Sequence, residues 1–325
     1  MDSLYVIADN CSDDTAQIAR TAGAKVIVRD SMILPGKGAA LAWFMNSFKD
    51  KLLAYDFMVI LDADSLIPTD FVEKLSLQLM SGIVVAQCYL SPTGFKGTPL
   101  TTLIALSETI EQTVFDRIRS SLGLSVRLRG TGMVIDPRLL LKLCLRLETE
   151  VEDIALTLLI AEQKIIIRSL KTVVVFDPKP TDHTSASRQR ARWFRGQWVA
   201  FWRYRSIVVK LLARGPVGWS VLSSLFLKPR WLKLVLLTIL GFVFIWQPIG
   251  SAIAFLLAGI EIFLILVGTL SLENRSLFLR SLVYIPGFIL MWLKGIFLSG
   301  KGYPWLRARK IMNFKDDCKP DPGHF

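Results

Sequence analysis

The chain has 325 residues, of which 52% are apolar and 20% are charged, and its mean hydropathy is +0.45. These values exclude a disordered chain, which needs low hydrophobicity and high charge, and they argue against a purely soluble protein. Lysine and arginine outnumber aspartate and glutamate by 39 to 27. The resulting net charge of +12 predicts an anionic partner such as nucleic acid, phospholipid headgroups or phosphorylated small molecules.

Cysteine and histidine usage excludes two further classes of protein. The four cysteines lie far apart without a CxxC pair, and the chain has only two histidines. This pattern excludes a disulfide scaffold and argues against a zinc site. It predicts a reducing, cytosolic setting for the polar part of the chain.

Residues 1–187 alternate short β-branched runs with helical patterns. The predicted strands are Leu4–Ala8, Lys25–Val28, Phe57–Leu61, Ile83–Leu90, Met133–Ile135 and Ile165–Phe176. The predicted helices between them are Asp14–Ala22, Gly38–Phe48, Asp70–Met80, Leu100–Leu122 and Glu152–Glu162. Strands that alternate with helices of this length indicate an α/β domain with a largely parallel sheet.

Residues 188–233 contain eleven lysines or arginines and no acid, with aromatic residues such as Trp198 and Trp202 interleaved. One interpretation is single-stranded nucleic-acid binding through stacking and phosphate contacts. The other is a basic amphipathic region at a bilayer surface, with tryptophans at headgroup level. The apolar segments that follow favour the second interpretation, so membrane lipids and not nucleic acid are the expected partners.

Residues 234–299 are predicted to enter the membrane. Leu234–Trp246 and Ile249–Leu272 are apolar and would form a transmembrane hairpin, because about 20 apolar residues cross the hydrocarbon core. The first segment is short, and Lys233 is expected to extend toward the membrane surface. A third stretch, Ser281–Leu293, has only 13 residues and favours an interfacial or re-entrant helix over a span.

Two charged features qualify this membrane region. Glu261 is the one charge in its segment; it is either a functional carboxylate or a protonated side chain bonded to a neighbouring helix, and the second is favoured. The tail 300–325 holds six lysines or arginines against three aspartates. Together with 188–233, it predicts a multi-pass protein of the cell (inner) membrane, with the 1–187 domain and the tail in the cytoplasm.

Two carboxylates follow the third predicted strand in the motif Asp62-Ala63-Asp64. Ligands of parallel sheets bind at the carboxyl ends of the strands, and alternate residues of extended backbone point the same way. Asp62 and Asp64 can therefore face one hard cation, Mg²⁺ or Mn²⁺, which in turn would hold a diphosphate. By itself the motif is weak evidence for a metal site, because acidic pairs are common at strand ends and a solvated turn is the favoured alternative.

Two further features favour a ligand-binding interpretation of that motif. Asp9 also stands at the carboxyl end of a predicted strand. In Gly36-Lys37-Gly38 the glycines allow close backbone approach, the helix start favours anions and Lys37 adds a charge for phosphate. A simple loop-to-helix turn is the alternative for this second motif.

A pair of acids and an aromatic motif complete the set. Glu152 and Asp153 open a predicted helix, either as acids favoured by the helix dipole or with one of them as a general base. Gln189, Arg192 and Trp193 share one helical face. Arg192 could bind a diphosphate and Trp193 could stack on a sugar or base, or all three could simply lie at the membrane interface.

In this order the motifs resemble those of family-2 glycosyltransferases, in particular the membrane-bound cellulose, hyaluronan and poly-N-acetylglucosamine synthase-like group. The resemblance runs from about Leu4 to the end of the membrane region. It implies a glycosyltransferase A-type α/β domain for nucleotide-diphospho-sugars, followed by a C-terminal membrane helix region. The turn Gly130-Thr131-Gly132-Met133 is similar to the acceptor-side loop of that family.

The resemblance also implies a role for each motif residue. For the donor, Asp9 would contact the nucleobase and Lys37 the nucleotide, Asp62 would bind the nucleotide-sugar, and Asp62 and Asp64 would bind the metal. Asp153 would deprotonate the acceptor. Gln189, Arg192 and Trp193 would form a clamp on the diphosphate and the acceptor. The implied enzyme is a metal-dependent, inverting hexosyltransferase of polysaccharide biosynthesis. It moves a sugar from a nucleotide-diphospho-sugar, with a UDP-sugar favoured, to a glycan or lipid acceptor and forms a β-glycosidic bond.

Two departures from the family pattern lead to further expectations. Members usually begin with an earlier strand that ends in a Pro-x-x-Asn-Glu-like segment, so the chain is expected to be shortened by one strand and one helix. A catalytically inactive membrane scaffold is therefore the alternative function. Val151 replaces the usual threonine and is expected to be tolerated because the acids remain. The small number of membrane segments favours short-chain or lipid-linked transfer, or dependence on a partner subunit.

Overall fold

The computed structural model describes residues 4–30, 36–79, 82–92, 98–147, 151–225, 229–270 and 275–300. All six predicted strands are present, with ends that differ by a few residues from the predicted ones. They are β1 (Tyr5–Asp9), β2 (Lys25–Arg29), β3 (Met58–Ile60), β4 (Val85–Ser91), β5 (Met133–Ile135) and β6 (Arg168–Phe176). Apart from Gly300, the predicted basic tail lies outside the described residues.

Fifteen α-helices are present in the described part of the chain. They are α1 (Thr15–Thr21), α2 (Lys37–Ser47), α3 (Lys49–Leu52), α4 (Phe71–Leu79), α5 (Pro99–Ile110), α6 (Asp116–Ser121), α7 (Pro137–Cys144), α8 (Glu152–Glu162), α9 (His183–Arg203), α10 (Arg205–Leu212), α11 (Pro216–Leu225), α12 (Arg230–Val243), α13 (Pro248–Leu270), α14 (Arg275–Ser281) and α15 (Ile285–Ser299). A π-helical segment, Glu111–Phe115, joins α5 to α6, and a 3₁₀ turn, Leu282–Tyr284, joins α14 to α15. The predicted helix Leu100–Leu122 is therefore interrupted in its middle.

The strands form a parallel pair, β1–β2, and a four-stranded sheet in the order β3-β5-β4-β6. β4 and β6 are parallel, but β5 runs antiparallel to both of its neighbours. The prediction of a largely parallel sheet is therefore wrong for β5. Alternation of strands and helices indicates their order, whereas the direction of a three-residue strand depends on the backbone with which it pairs.

The four-stranded sheet is buried on both faces. Met133 and Ile135 of β5 belong to a core with α2, α7, α8, α10 and α11, and Val134 faces a second core with α4. Alternate residues of a strand point to opposite faces, so a three-residue apolar run can supply both cores. The two layers hold the carboxyl ends of β3 and β6 in fixed positions, and the candidate site lies there.

The apolar C-terminal helices differ from the predicted hairpin. α13 has 23 residues and extends about 35 Å, enough to cross a membrane, whereas α12 has 14 residues and extends only about 21 Å. The stretch Ser276–Ser299 is 24 residues long and is the second helical stretch, among the described residues, that is long and apolar enough to span. The expectation of an interfacial or re-entrant helix at Ser281–Leu293 did not include residues 276–280 before this stretch or residues 294–299 after it.

Large apolar side chains on these helices and in the turns that join them face outward. Trp246 is 91% exposed, Val283 81% and Ile249 77%. Exposure on this scale is unfavourable in water and favourable in lipid. The other side of the same helices packs on α5 and α9 in a third core that includes Leu103, Ile265, Phe288 and Trp292.

Glu261 of α13 is buried and forms ion pairs with two cations of α12, Arg230 at 3.3 Å and Lys233. The expected bond between Glu261 and a neighbouring helix is therefore present, and both of its partners are cations. Lys233 contacts this carboxylate instead of extending only toward the membrane surface. The short helix α12 brings both cations next to Glu261, so the charges compensate one another inside the helical layer.

Candidate active site

Lys37 occupies the centre of the candidate site, at the first residue of α2. Its Nζ lies 2.5 Å from Asp62 Oδ1, donates to the Gly130 carbonyl at 2.6 Å and lies 3.4 Å from Glu152 Oε1. Burial alone would lower the pKa of Lys37, but the charges of Glu152 and Asp62 outweigh it and raise that pKa. The ammonium group is therefore a fixed positive charge shared by three separate segments.

Asp9 ends β1 and connects that strand to the start of α2. Its Oδ1 accepts from Arg29 Nη1 at 2.5 Å, and its Oδ2 accepts from the backbone N–H of Gly36 at 3.4 Å. Gly36 has φ of +113°, a conformation that glycine adopts without strain. The structure thus brings the Asp9 carboxylate to the residue that precedes Lys37.

The Gly130–Gly132 turn approaches the end of β3 closely. Thr131 Oγ1 accepts from the backbone N–H of Asp62 at 3.1 Å and lies 2.8 Å from Ser65 Oγ. Gly132 has φ of +64°, and a β-carbon there would lie 3.1 Å from Cys88. The turn therefore holds the Asp62 motif by direct hydrogen bonds.

The two carboxylates of that motif suit a hard cation. Burial and the charge of Asp62 raise the pKa of Asp64, so the two groups repel each other. A divalent cation would relieve this repulsion, and carboxylate oxygens are the ligands that Mg²⁺ and Mn²⁺ prefer. No group of three potential ligands among His, Cys, Asp and Glu occurs in the described residues, so most remaining ligands would come from water or phosphate.

Glu152 and Asp153 open α8 with different environments. Glu152 is 6% exposed and faces Lys37, and burial raises its pKa to about 7 against the effect of that cation. Asp153 is half-buried, and its Oδ1 accepts from the backbone N–H of Ile154 at 2.9 Å. Burial also raises the pKa of Asp153, although the positive charge of Arg127 opposes the shift. Asp153 is the more accessible of the two bases.

The aromatic motif on α9 comprises residues 189–193 and contains two arginines. Arg190, and not Arg192, lies in the interior. Arg192 is exposed, whereas Arg190 is 3% exposed and its guanidinium lies 4.7 Å from the ring centre of Trp193 and 5.1 Å from that of Trp292. Arg190 Nη1 donates to Gln189 Oε1 at 2.8 Å. Burial lowers the pKa of Arg190 to about 10.

A buried cluster beyond β6 was not anticipated from the sequence. Lys179 Nζ lies 2.6 Å from Asp177 and 2.5 Å from Glu108. Burial raises the pKa of Asp177 to about 6, and the charge of Asp62 contributes to that rise. The position of Asp177 directly after β6 was the available signal, because Asp9 and Asp62 follow their strands in the same way.

The helix with the aromatic motif packs directly on the start of α8 through Gly196. A β-carbon at Gly196 would lie 2.3 Å from Val151 Cγ1, immediately before the two acids. We expect Gly196→Ala to lower the melting temperature by about 2–8 °C, because overpacking costs about 1–3 kcal/mol, and to reduce activity by displacing Asp153. Thermal unfolding monitored by circular dichroism measures the first effect.

The matched control for this prediction removes the clashing methyl groups. The double variant Gly196→Ala/Val151→Ala should recover most of the lost stability, because the new β-carbon then occupies the space that Val151 leaves. If the double variant is no more stable than Gly196→Ala alone, the assigned contact is wrong.

The family model described as "Glycosyl transferase family group 2" matches residues 57–292. The solved structure of glucosyl-3-phosphoglycerate synthase from Mycobacterium tuberculosis, in complex with Mn²⁺, uridine-diphosphate and phosphoglyceric acid, is 23% identical with a TM-score of 0.37. The match covers 57% of this chain and 63% of that one, less than two thirds of its length. Comparison with curated proteins found no match.

Proposed function

This chain belongs to glycosyl transferase family group 2, and on that premise we propose that it is a membrane-bound, inverting glycosyltransferase. Its fold is the expected glycosyltransferase A-type α/β domain followed by apolar C-terminal helices. The proposed reaction moves a sugar from a nucleotide-diphospho-sugar, with a UDP-sugar favoured, to a glycan or lipid acceptor. We place the chain in the cellulose, hyaluronan and poly-N-acetylglucosamine synthase-like group.

The observation that carries the proposal is the position of Lys37 among Asp62, Gly130 and Glu152. A fixed ammonium group at the carboxyl end of the strands suits a diphosphate, and Asp9, held next to the same helix start, suits contact with the nucleobase. Asp62 and Asp64 would hold Mg²⁺ or Mn²⁺. When bound, the cation would neutralise charge on the nucleoside diphosphate leaving group.

Asp153 is the proposed general base. The acceptor hydroxyl gives its proton to the Asp153 carboxylate, and its oxygen forms a bond to the anomeric carbon on the face opposite the diphosphate. The bond between that carbon and the diphosphate oxygen breaks, and the nucleoside diphosphate leaves with the electron pair. The half-buried position of Asp153 keeps it accessible to an acceptor, and its raised pKa makes it a stronger base than an ordinary aspartate.

The aromatic motif is proposed to act at the same cleft. Gln189 and Trp193 are fixed by their contacts with the buried Arg190. Arg192 is exposed, and its guanidinium is the proposed contact to the diphosphate of the donor. The apolar residues exposed on α12, α13 and α15 support placement of α9 against a bilayer. The α/β domain is proposed to lie on the cytoplasmic side.

We expect the full chain, purified in detergent, to bind UDP in the presence of Mn²⁺ or Mg²⁺ and to transfer radiolabelled sugar in membranes. Isothermal titration calorimetry measures the first property, and addition of EDTA should abolish at least nine tenths of the transfer if the cation supports departure of the diphosphate. Failure to bind UDP with either cation would contradict the proposal and favour the inactive scaffold. Transfer that is insensitive to EDTA would contradict the metal role.

A further inference from the structure

Arg127 lies immediately before the Gly130 turn and beside the start of α8. The backbone N–H of Leu128 donates to Thr157 Oγ1 at 3.0 Å, and this hydroxyl donates to the Asp153 carbonyl at 2.7 Å. The segment that carries Arg127 is thus attached to the first turn of the helix that carries the proposed base. Electrostatic interaction between Arg127 and Asp153 is consistent with this placement.

The side chain of Arg127 faces away from the hydrophobic core. Buried and half-buried residues alternate along 126–129. Val126 and Leu128 are buried in the core at 1% and 0% exposure, whereas Arg127 and Arg129 are half-buried. Residues that alternate in this way along an extended segment point to opposite sides. Arg127 and Arg129 therefore extend into the same region, next to the π-helical segment and α6.

The acids of that region are already occupied by other arginines. Asp116 accepts from Arg119 at 3.0 Å through Oδ1 and from Arg129 through Oδ2. Glu111 accepts from Arg119 at 3.1 Å through Oε1 and from Arg230 at 3.3 Å through Oε2. All four carboxylate oxygens thus have a guanidinium partner, and none of these partners is Arg127.

Arg127 consequently has no ion pair or hydrogen bond from its side chain within the described residues, and its Nε is sealed from solvent without an acceptor. A desolvated donor without an acceptor is unfavourable, and an unpaired guanidinium charge is more so. A guanidinium also presents N–H groups in a geometry that matches phosphate oxygens. The missing partner is therefore expected to be an anion supplied from outside the chain.

We propose that Arg127 is the anion-binding residue of the acceptor subsite, where it binds a phosphate-type group carried by the acceptor. The inference rests on the proposed function, because it defines the acceptor as a hydroxyl compound with a phosphate group near the reacting oxygen. Arg127 holds that phosphate beside Asp153, which receives the proton of the hydroxyl. The phosphate belongs either to a phospholipid headgroup or to a soluble phosphate ester.

Matched pairs of acceptors test the proposal and distinguish the two sources. The lipid pair is phosphatidylglycerol and diacylglycerol in phosphatidylcholine nanodiscs, and the soluble pair is glycerol 3-phosphate and glycerol. We expect the full-length wild type to show an acceptor KM at least about tenfold lower for the phosphate-bearing member of one pair, as a charge-assisted contact implies. Arg127→Met should lose that preference, and Arg127→Lys should keep part of it.

The control variant is Arg138→Met, because Arg138 is exposed on α7 and pairs with Asp136 away from the cleft. It should keep the wild-type preference. A preference in the lipid pair identifies a headgroup, and a preference in the soluble pair identifies a phosphate ester. Wild type that turns over donor without a preference in either pair, or Arg127→Met that retains the preference, would overturn the proposal.

A second measurement does not depend on catalysis. Inorganic phosphate should raise the melting temperature of the wild type by about 2–4 °C and leave that of Arg127→Met unchanged, because an anion that binds only the folded state stabilises it. Equal shifts in both proteins would overturn the assignment of Arg127. Absence of UDP binding together with an Arg127-dependent phosphate shift would contradict the proposed transferase and leave the anion site supported.

Discussion

Asp153→Asn is expected to lower kcat about 10³-fold and to change the KM for the nucleotide-sugar by less than about threefold, because the amide cannot accept the acceptor's proton and the donor contacts lie elsewhere. Steady-state transfer of radiolabelled sugar by purified protein in nanodiscs measures both constants. Thermal unfolding of the variant shows whether the helix start has kept its structure.

The pH dependence of the same reaction provides a second readout. Asp153 must be ionised to act as a base, and its pKa is raised by burial, so kcat/KM should fall on acidification at a higher pH than for an ordinary aspartate.

Asp50→Asn is the control for the substitution Asp153→Asn, since Asp50 is exposed on α3. Activity of Asp153→Asn within threefold of that control would exclude Asp153 as the base.

Asp62→Asn is expected to weaken UDP binding in the presence of Mn²⁺ on the order of 10²-fold, with a similar loss in kcat/KM. The substitution removes a proposed cation ligand and the negative charge that holds Lys37 at 2.5 Å, so both proposed partners of the diphosphate would lose their position. Isothermal titration calorimetry with UDP and Mn²⁺ measures the loss directly.

The control for this variant lies at the other end of the same strand. Asp56 is exposed and precedes β3, so Asp56→Asn should bind UDP like the wild type. Equal affinities of Asp62→Asn and Asp56→Asn for UDP would contradict the assigned donor site. If Asp62→Asn loses the same UDP affinity with and without Mn²⁺, Asp62 does not bind the cation, and its role is only to position Lys37.

Much of the candidate site could be predicted because its residues stand at the ends of strands and helices. β-branched runs located all six strands, and Asp9 and Asp62 followed two of them. The predicted helix at Glu152–Glu162 has the same bounds in the structure, so the placement of both acids in its first turn was also correct. The positions of strands, helices and their end residues are local properties, so hydrophobic periodicity and helix-breaking residues predict them.

The charge partners could not be predicted in this way. Glu152 and not Asp153 contacts Lys37, Arg190 and not Arg192 is buried beside Trp193, and Glu261 pairs with cations of α12. In the first two cases residues of the same type compete for one position, and small differences in backbone direction decide which of them reaches it. In the third case the packing of α12 on α13 decides which cations reach Glu261. Spacing along the chain does not contain that information.

The sequence by itself determined the order of the elements, the apolar C-terminal region and the acids at the ends of strands, because each depends on a few neighbouring residues. Only the tertiary structure decided the direction of β5, the length of the helical stretch 276–299 and the lack of a partner for the Arg127 side chain among the described residues. The last of these depends on four carboxylate oxygens taken by three other arginines. Such a distribution of charge exists only once distant segments have packed together.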